Sequence, residues 1–119
     1  MKTLIDCPAE RAVYFLGGKW KIRILFSLFQ SKKIRFGELK KGLRTITQQM
    51  LSKQLKELKA DGIINRKVIQ IMPPKVEYSL TEFGLSVMPI LRSFSEWNKR
   101  NTRTISSKLN KNFEENRIR

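Results

Sequence analysis

A mainly α-helical domain with one small β-hairpin is the fold class that three features of this chain predict. Before residue 62, four short stretches repeat their apolar residues at helical spacing. A β-branched run at residues 64–71 and an alternating run at 75–80 then flank Met72-Pro73-Pro74, and an apolar stripe at helical spacing follows from Phe83 to Trp97. With 119 residues and 40% apolar content, the chain can build one compact core of ordinary size.

The elements follow in order. Pro8 suits the first turn of a helix, which Ala12, Val13 and Leu16 continue until Gly17-Gly18 stops it. A second helix starts at about Lys19 and buries the stripe Trp20, Ile24, Leu25 and Leu28, leaving Lys19, Arg23 and Ser27 on another side. An extended Ile34-Arg35 introduces a third, shorter helix carrying Phe36, Leu39 and Leu43. These three helices are expected to form the core.

The fourth helix has two chemically different faces. At about 100° per residue from Gln48, the residues Gln48, Gln49, Ser52, Lys53 and Lys56 fall within an arc of about 140°, with Met50, Leu51, Leu55 and Leu58 opposite. Thr45 or Thr47 can cap its start, and Asp61-Gly62 ends it, glycine suiting the left-handed position after a helix.

In the hairpin, Val76, Tyr78 and Leu80 share one strand face, with Lys75, Glu77 and Ser79 on the other. The prolines belong in the turn, because they cannot donate to a ladder. Thr81 can cap one long final helix bent at Pro89, whose stripe Phe83, Val87, Ile90, Leu91, Phe94 and Trp97 needs a partner surface. A second copy of the chain fits that need better than self-burial at the edge of so small a domain. Residues 98–119 form a tail with seven Lys or Arg against two Glu; Ile105, Leu109 and Phe113, four apart, allow a further helix there, while the polar remainder leaves disorder as the alternative. The expected organisation is a domain at 1–97 followed by this basic tail.

Helix, turn, two-faced helix and basic hairpin in this sequence spell a winged helix-turn-helix, an arrangement suited to a nucleic-acid duplex. Charge agrees: 25 Lys and Arg against 10 Asp and Glu give +15, a field that attracts polyanions, with nucleic acid first and an anionic membrane surface second. No apolar segment approaches the roughly 20 residues that span a bilayer, and MKTLIDCPAE has no apolar targeting core, so a cytoplasmic protein is expected. Enzymatic, cofactor and metal chemistry find little footing. There is no histidine and only one cysteine, and no phosphate-binding loop or nucleophile elbow appears.

Double-stranded DNA is therefore the expected partner. The major groove admits a helix, and carboxamides near its start can bond adenine bidentately, which singles out Gln48 and Gln49. Thr47 and Ser52 offer hydroxyls to phosphates or bases, while Lys53 and Lys56 would meet phosphates. Arg66, Lys67 and Lys75 on the wing could follow the backbone or enter the minor groove, and Lys40, Lys41 and Arg44 precede the turn. Any single lysine is more often just solvated. It is the cluster in this order that points to a duplex.

GGKW at 17–20, RFGEL at 35–39, MLSKQLKELKADG at 50–62, Arg66, PPKVEYSLTEFG at 73–84, PIL at 89–91 and Trp97 together resemble the HxlR-type winged helix-turn-helix transcriptional regulators of bacteria and archaea. The resemblance runs from Cys7 to Trp97. It implies a homodimeric transcription factor related to the MarR group, reading a pseudo-palindromic operator with the helix that starts near Thr47 and dimerising through its first and last helices. It also implies a sensing role for Cys7, since several similar proteins use a cysteine in a Cys-Pro context to detect oxidants or electrophiles. The residues add some support: a thiol before a helix meets the positive end of its dipole, with Arg11 one turn on. Against this, a lone cysteine is more often a small buried hydrophobe.

Two departures bear on base preference and wing geometry: Thr45-Ile46-Thr47 stands where Gly-Ile-Ser is usual, and Gln70-Ile71-Met72 lacks a common tyrosine. The leading expectation is a repressor. Its competitors are a protein-interaction module on the same fold and a ligand-responsive regulator without thiol sensing; RNA binding has few exposed aromatics to draw on.

Overall fold

The computed structural model describes residues 7–118, with side-chain surroundings to residue 112. Helix α1 (Pro8–Leu16) carries Pro8 in its first turn and ends at Gly17; α2 (Lys21–Ser31) follows. Between them, Gly18 adopts φ 111°, a region that side-chain-bearing residues avoid. Trp20 is buried, with Lys19 Nζ 5.1 Å and the Arg23 guanidinium 5.0 Å from its ring centre. Cations over the indole let two charges sit beside an otherwise apolar core residue.

Strand β1 (Ile34–Arg35) leads into α3 (Phe36–Leu43), where Glu38 accepts a hydrogen bond from the Arg35 backbone N–H at 3.1 Å. Helix α4 (Gln48–Ala60) begins at Thr47, whose hydroxyl accepts from the Met50 N–H at 3.1 Å; Thr47, not Thr45, is the cap. Gly62 ends the turn after α4 with φ 75°. Strands β2 (Ile64–Gln70) and β3 (Lys75–Leu80) form the hairpin.

The hairpin is not alone. Ile34 pairs with Tyr78 and Arg35 with Glu77, giving a three-stranded antiparallel sheet of order β1-β3-β2. Between β2 and β3 the register is regular from Ile64↔Leu80 to Val68↔Val76, then a bulge brings Gln70 opposite Lys75. An extra residue in one strand locally interrupts the ladder and increases its twist.

The core is built from Ile24, Leu25 and Leu28 of α2, Leu39 and Leu43 of α3, Leu51, Leu55 and Leu58 of α4, and Ile63, Ile64 and Tyr78 beside them. Each such aliphatic side chain contributes about 1.5–3 kcal/mol on leaving water. Helix α1 gives the core less than expected: only Leu16 is buried, while Ala12 and Val13 are exposed together with Tyr14 and Phe15. The apolar side of α1 is therefore open in the single chain.

The expected long final helix is two helices. Thr81 accepts the Gly84 N–H at 2.9 Å and caps α5 (Glu82–Leu85), which stops at Ser86; α6 (Met88–Arg100) starts anew. Pro89 lies in the first turn of α6, where its missing N–H costs nothing, so it begins a helix and bends none. By compactness the chain divides after Met88. In the second unit, α6 passes to α7 (Thr102–Ile118) through Asn101, whose side-chain amide donates to the Trp97 carbonyl at 2.9 Å. Ile105 is half-buried and Leu109 exposed on α7; the Phe113 side chain lies outside the described residues.

Candidate nucleic-acid interface

The apolar side of α4 holds Leu51, Leu55 and Leu58 at 2% exposure or less, which fixes the rotation of the helix about its axis. Everything opposite is then presented outward. Gln48, Gln49, Lys53 and Lys56 are exposed and Ser52 is half-buried among them, so the arc read from the sequence is a real surface. Thr47 is exposed too, but its hydroxyl oxygen is engaged in capping. No carboxylate occurs in the first turn of α4, leaving the positive end of the helix dipole open to an anion.

Beside α4 runs a cleft of about 330 Å³ between the helix and the sheet. It is lined by the apolar or aromatic Phe36, Leu55, Val76 and Tyr78 and by the polar Gln48, Ser52, Lys56, Lys59 and Arg66. Arg66 sits opposite Tyr78 in the ladder, so strand alternation sends Lys67, opposite Glu77, to the other face of the sheet. The wing cations expected to act together thus part company: Arg66 joins Lys56 and Lys59, whereas Lys67 does not line the cleft. Lys75, half-buried, lies at the bulged end of the hairpin.

Lys59 was missed in the sequence although the signal was present. Eleven residues beyond Gln48, it returns to about 20° on the same arc, about one turn beyond Lys56. Less legible is an ion pair at the edge of this surface: Lys21 Nζ of α2 lies 2.9 Å from Glu57 Oε1 of α4. The lysine's hydrogen bond and charge, with a smaller contribution from Lys53, hold the Glu57 carboxyl below the usual carboxylate range.

Elsewhere, Cys7 is exposed and immediately precedes α1, its carbonyl accepting the Arg11 N–H at 3.1 Å. Of the six residues proposed for self-association, Val87 and Leu91 are buried within the single chain at 7% and 1% exposure. Phe83 on α5 is 53% exposed, and on α6 Ile90, Phe94 and Trp97, stepping by four and three, are 48%, 56% and 56% exposed. Val87 falls between α5 and α6, outside both, and Leu91 lies on α6 about 100° around the axis from Ile90. No group of three or more potential metal ligands occurs among the described residues, and none of their helices is long and apolar enough to cross a membrane.

Comparison with known proteins places these features in a family. Residues 15–106 match the model of the HxlR-like helix-turn-helix. The HTH-type transcriptional regulator YybR of Bacillus subtilis is 46% identical over 101 residues, 85% of this chain and 80% of that protein. Among solved structures, the redox regulator HypR in its reduced form superposes with a TM-score of 0.80 at 44% identity, covering 85% of this chain and 99% of that one. The oxidised form of HypR gives 0.72 at 46% identity, covering 80% and 97%. With two-thirds of its length and more matched by the family model and by such regulators, this chain belongs to the HxlR-like helix-turn-helix family, and it is a DNA-binding transcriptional regulator of the winged type.

Proposed function

We propose that the chain works as a homodimeric repressor in the cytoplasm, docking α4 of each copy into successive major grooves of a pseudo-palindromic operator. The observation that carries this reading is the outward face of α4: Gln48 and Gln49 stand exposed at its capped start, with Lys53 and Lys56 behind them and Arg66 across the cleft. Carboxamides at a helix start can address base edges, and the cations fix the register on phosphates. Residues 1–97 supply the reading domain and the dimerisation helices; the basic segment 98–119 follows it. Self-association through the first and last helices is supported by the exposed Val13, Tyr14 and Phe15 of α1 and Ile90, Phe94 and Trp97 of α6. Two-fold symmetry sets half-sites about 34 Å apart.

Titrating duplex DNA at several salt concentrations tests the reading. Phosphate contacts make log affinity fall linearly with log salt, with a slope near −0.9 per phosphate neutralised. Binding that ignores salt, or none, favours a protein-interaction module.

Redox control through Cys7 completes the proposal. It is supported by the exposed thiol ahead of α1 and by the kinship with HypR, a redox regulator known in oxidised and reduced forms. With one cysteine per chain, a disulfide joins two subunits or captures a small thiol; in the first case two thiols yield one disulfide as two electrons and two protons pass to the oxidant. Cys7→Ser should bind DNA normally yet ignore diamide. An undiminished diamide response removes Cys7 and leaves a regulator governed by a ligand.

A further inference from the structure

Lys21 is the one buried charged residue among the described residues, 8% exposed, and its pair with Glu57 is the one ion pair among them. A lysine is rarely buried this far without a partner, because stripping its ammonium of water is costly. Here the partner is particular. Glu57 is the sole carboxylate in QQMLSKQLKELKA, the whole of α4.

The position of Glu57 matters as much as its rarity. It lies about 180° around the helix from Gln48 and about 40° beyond Lys53, at the rim of the outward face. With Gln48, Gln49, Ser52, Lys53 and Lys56 it borders one shallow surface, and its side chain keeps 42% of its exposure. An unpaired carboxylate there would repel the phosphates that Lys53 and Lys56 attract. Its charge persists near neutrality, since the carboxyl is held below the ordinary range, so only a counter-charge can silence it.

We propose that Lys21 is a positioning residue for DNA binding: reaching from α2, its ammonium masks the single carboxylate at the rim of the outward face of α4. This rests on the duplex-binding reading above. The asymmetry of the pair follows from burial. Removing Lys21 leaves a half-exposed carboxylate that water can solvate, and so harms binding more than folding. Removing Glu57 leaves a buried, unpaired ammonium, and so harms folding more than binding.

The test uses the full chain and a fluorescent mixed-sequence duplex of about 30 base pairs, long enough for two half-sites one helical turn apart. Lys21→Met keeps the apolar stem and loses the charge; it should weaken binding about three- to ten-fold at about 0.1 M salt, the effect of one uncompensated charge a few ångströms from phosphates in a partly screened setting. Lys21→Arg should retain affinity within about two-fold, and adding Glu57→Gln to Lys21→Met should restore it, since no charge then remains to mask. Equal binding by Lys21→Met and the unaltered chain, or a double variant as weak as Lys21→Met, overturns the masking role. Should Lys21→Met fail to fold, Glu57→Gln alone decides: the role requires a lower Tm with affinity undiminished, and weakened binding by the folded variant contradicts it. Absence of salt-dependent binding by the unaltered chain overturns the duplex reading itself, and this inference with it.

Discussion

Gly84 joins the end of α4 to the exit from the wing, and replacing it with alanine should loosen both. The Ile63 carbonyl accepts from the Thr81 N–H at 3.0 Å, while the Thr81 hydroxyl donates to the Gly62 carbonyl at 2.6 Å, lies 3.1 Å from the Ile63 carbonyl and accepts the Gly84 N–H. A β-carbon on Gly84 would be driven into that Ile63 carbonyl oxygen, closer than real side chains approach backbone. Ile63 is 1% exposed and sits between Gly62, which closes α4, and Ile64, which opens β2, so it cannot yield alone. Overpacking of this kind costs about 1–3 kcal/mol. A rigid backbone obstacle belongs at the upper end, and at about 4 °C per kcal/mol for a chain of this size, Tm should fall by about 8–12 °C. Circular-dichroism melting measures it, with Gly37→Ala as control. An added β-carbon at Gly37 meets nothing within 4 Å, and Gly37 lies inside α3, so that substitution should raise Tm by a few degrees. A Gly84→Ala Tm within about 1 °C of the unaltered chain would refute the claim that this junction is rigid.

Replacing Gln48 and Gln49 by alanine should weaken binding to a selected operator by about 1–3 kcal/mol per lost bidentate contact while leaving mixed-sequence binding nearly unchanged, as competition titrations would show. Equal losses on both duplexes would mean that these carboxamides touch phosphates only. Glu57 makes stability depend on acid. Because its folded carboxyl titrates below the unfolded value, its contribution is present above the ordinary carboxylate range and lost as pH falls through the folded value. Urea unfolding from neutral pH to about pH 3 should therefore show the advantage of the unaltered chain over Glu57→Gln shrinking only below about pH 4.3. An advantage that is independent of pH, or that grows with acid, contradicts the pairing.

What could be read from the chain was whatever periodicity alone decides. The two faces of α4 follow from helical geometry and a clean split between leucines and polar residues, and the outward arc is where the arithmetic put it. The hairpin strands follow from β-branched residues on either side of Pro73-Pro74. Strand β1 needed tertiary information, because two residues have no pattern until Tyr78 and Glu77 offer them a ladder. The division of the last helix was hidden because Ser86 and Val87 carry no breaker, whereas Pro89 looks like one and is instead a helix start. Exposure of Val13 could not be foreseen from helical spacing, which says that residues share a face and not what covers it. Lys21 was hidden for a related reason: lysine on a helix is ordinarily solvated, and only the packing of α2 beside α4 brings it within 2.9 Å of Glu57.

Cleavage from a tethered reagent measures the central claim most directly. In a Cys7→Ser background, Lys53→Cys carries an iron chelate on the outward face of α4, and a labelled operator duplex reports where hydroxyl radicals cut. Two clusters of cuts about one helical turn apart, symmetric about the operator centre, are predicted. Even cutting along the duplex, or a pattern shared with the same reagent on Lys33→Cys beyond the end of α2, would place α4 away from the groove and contradict the account.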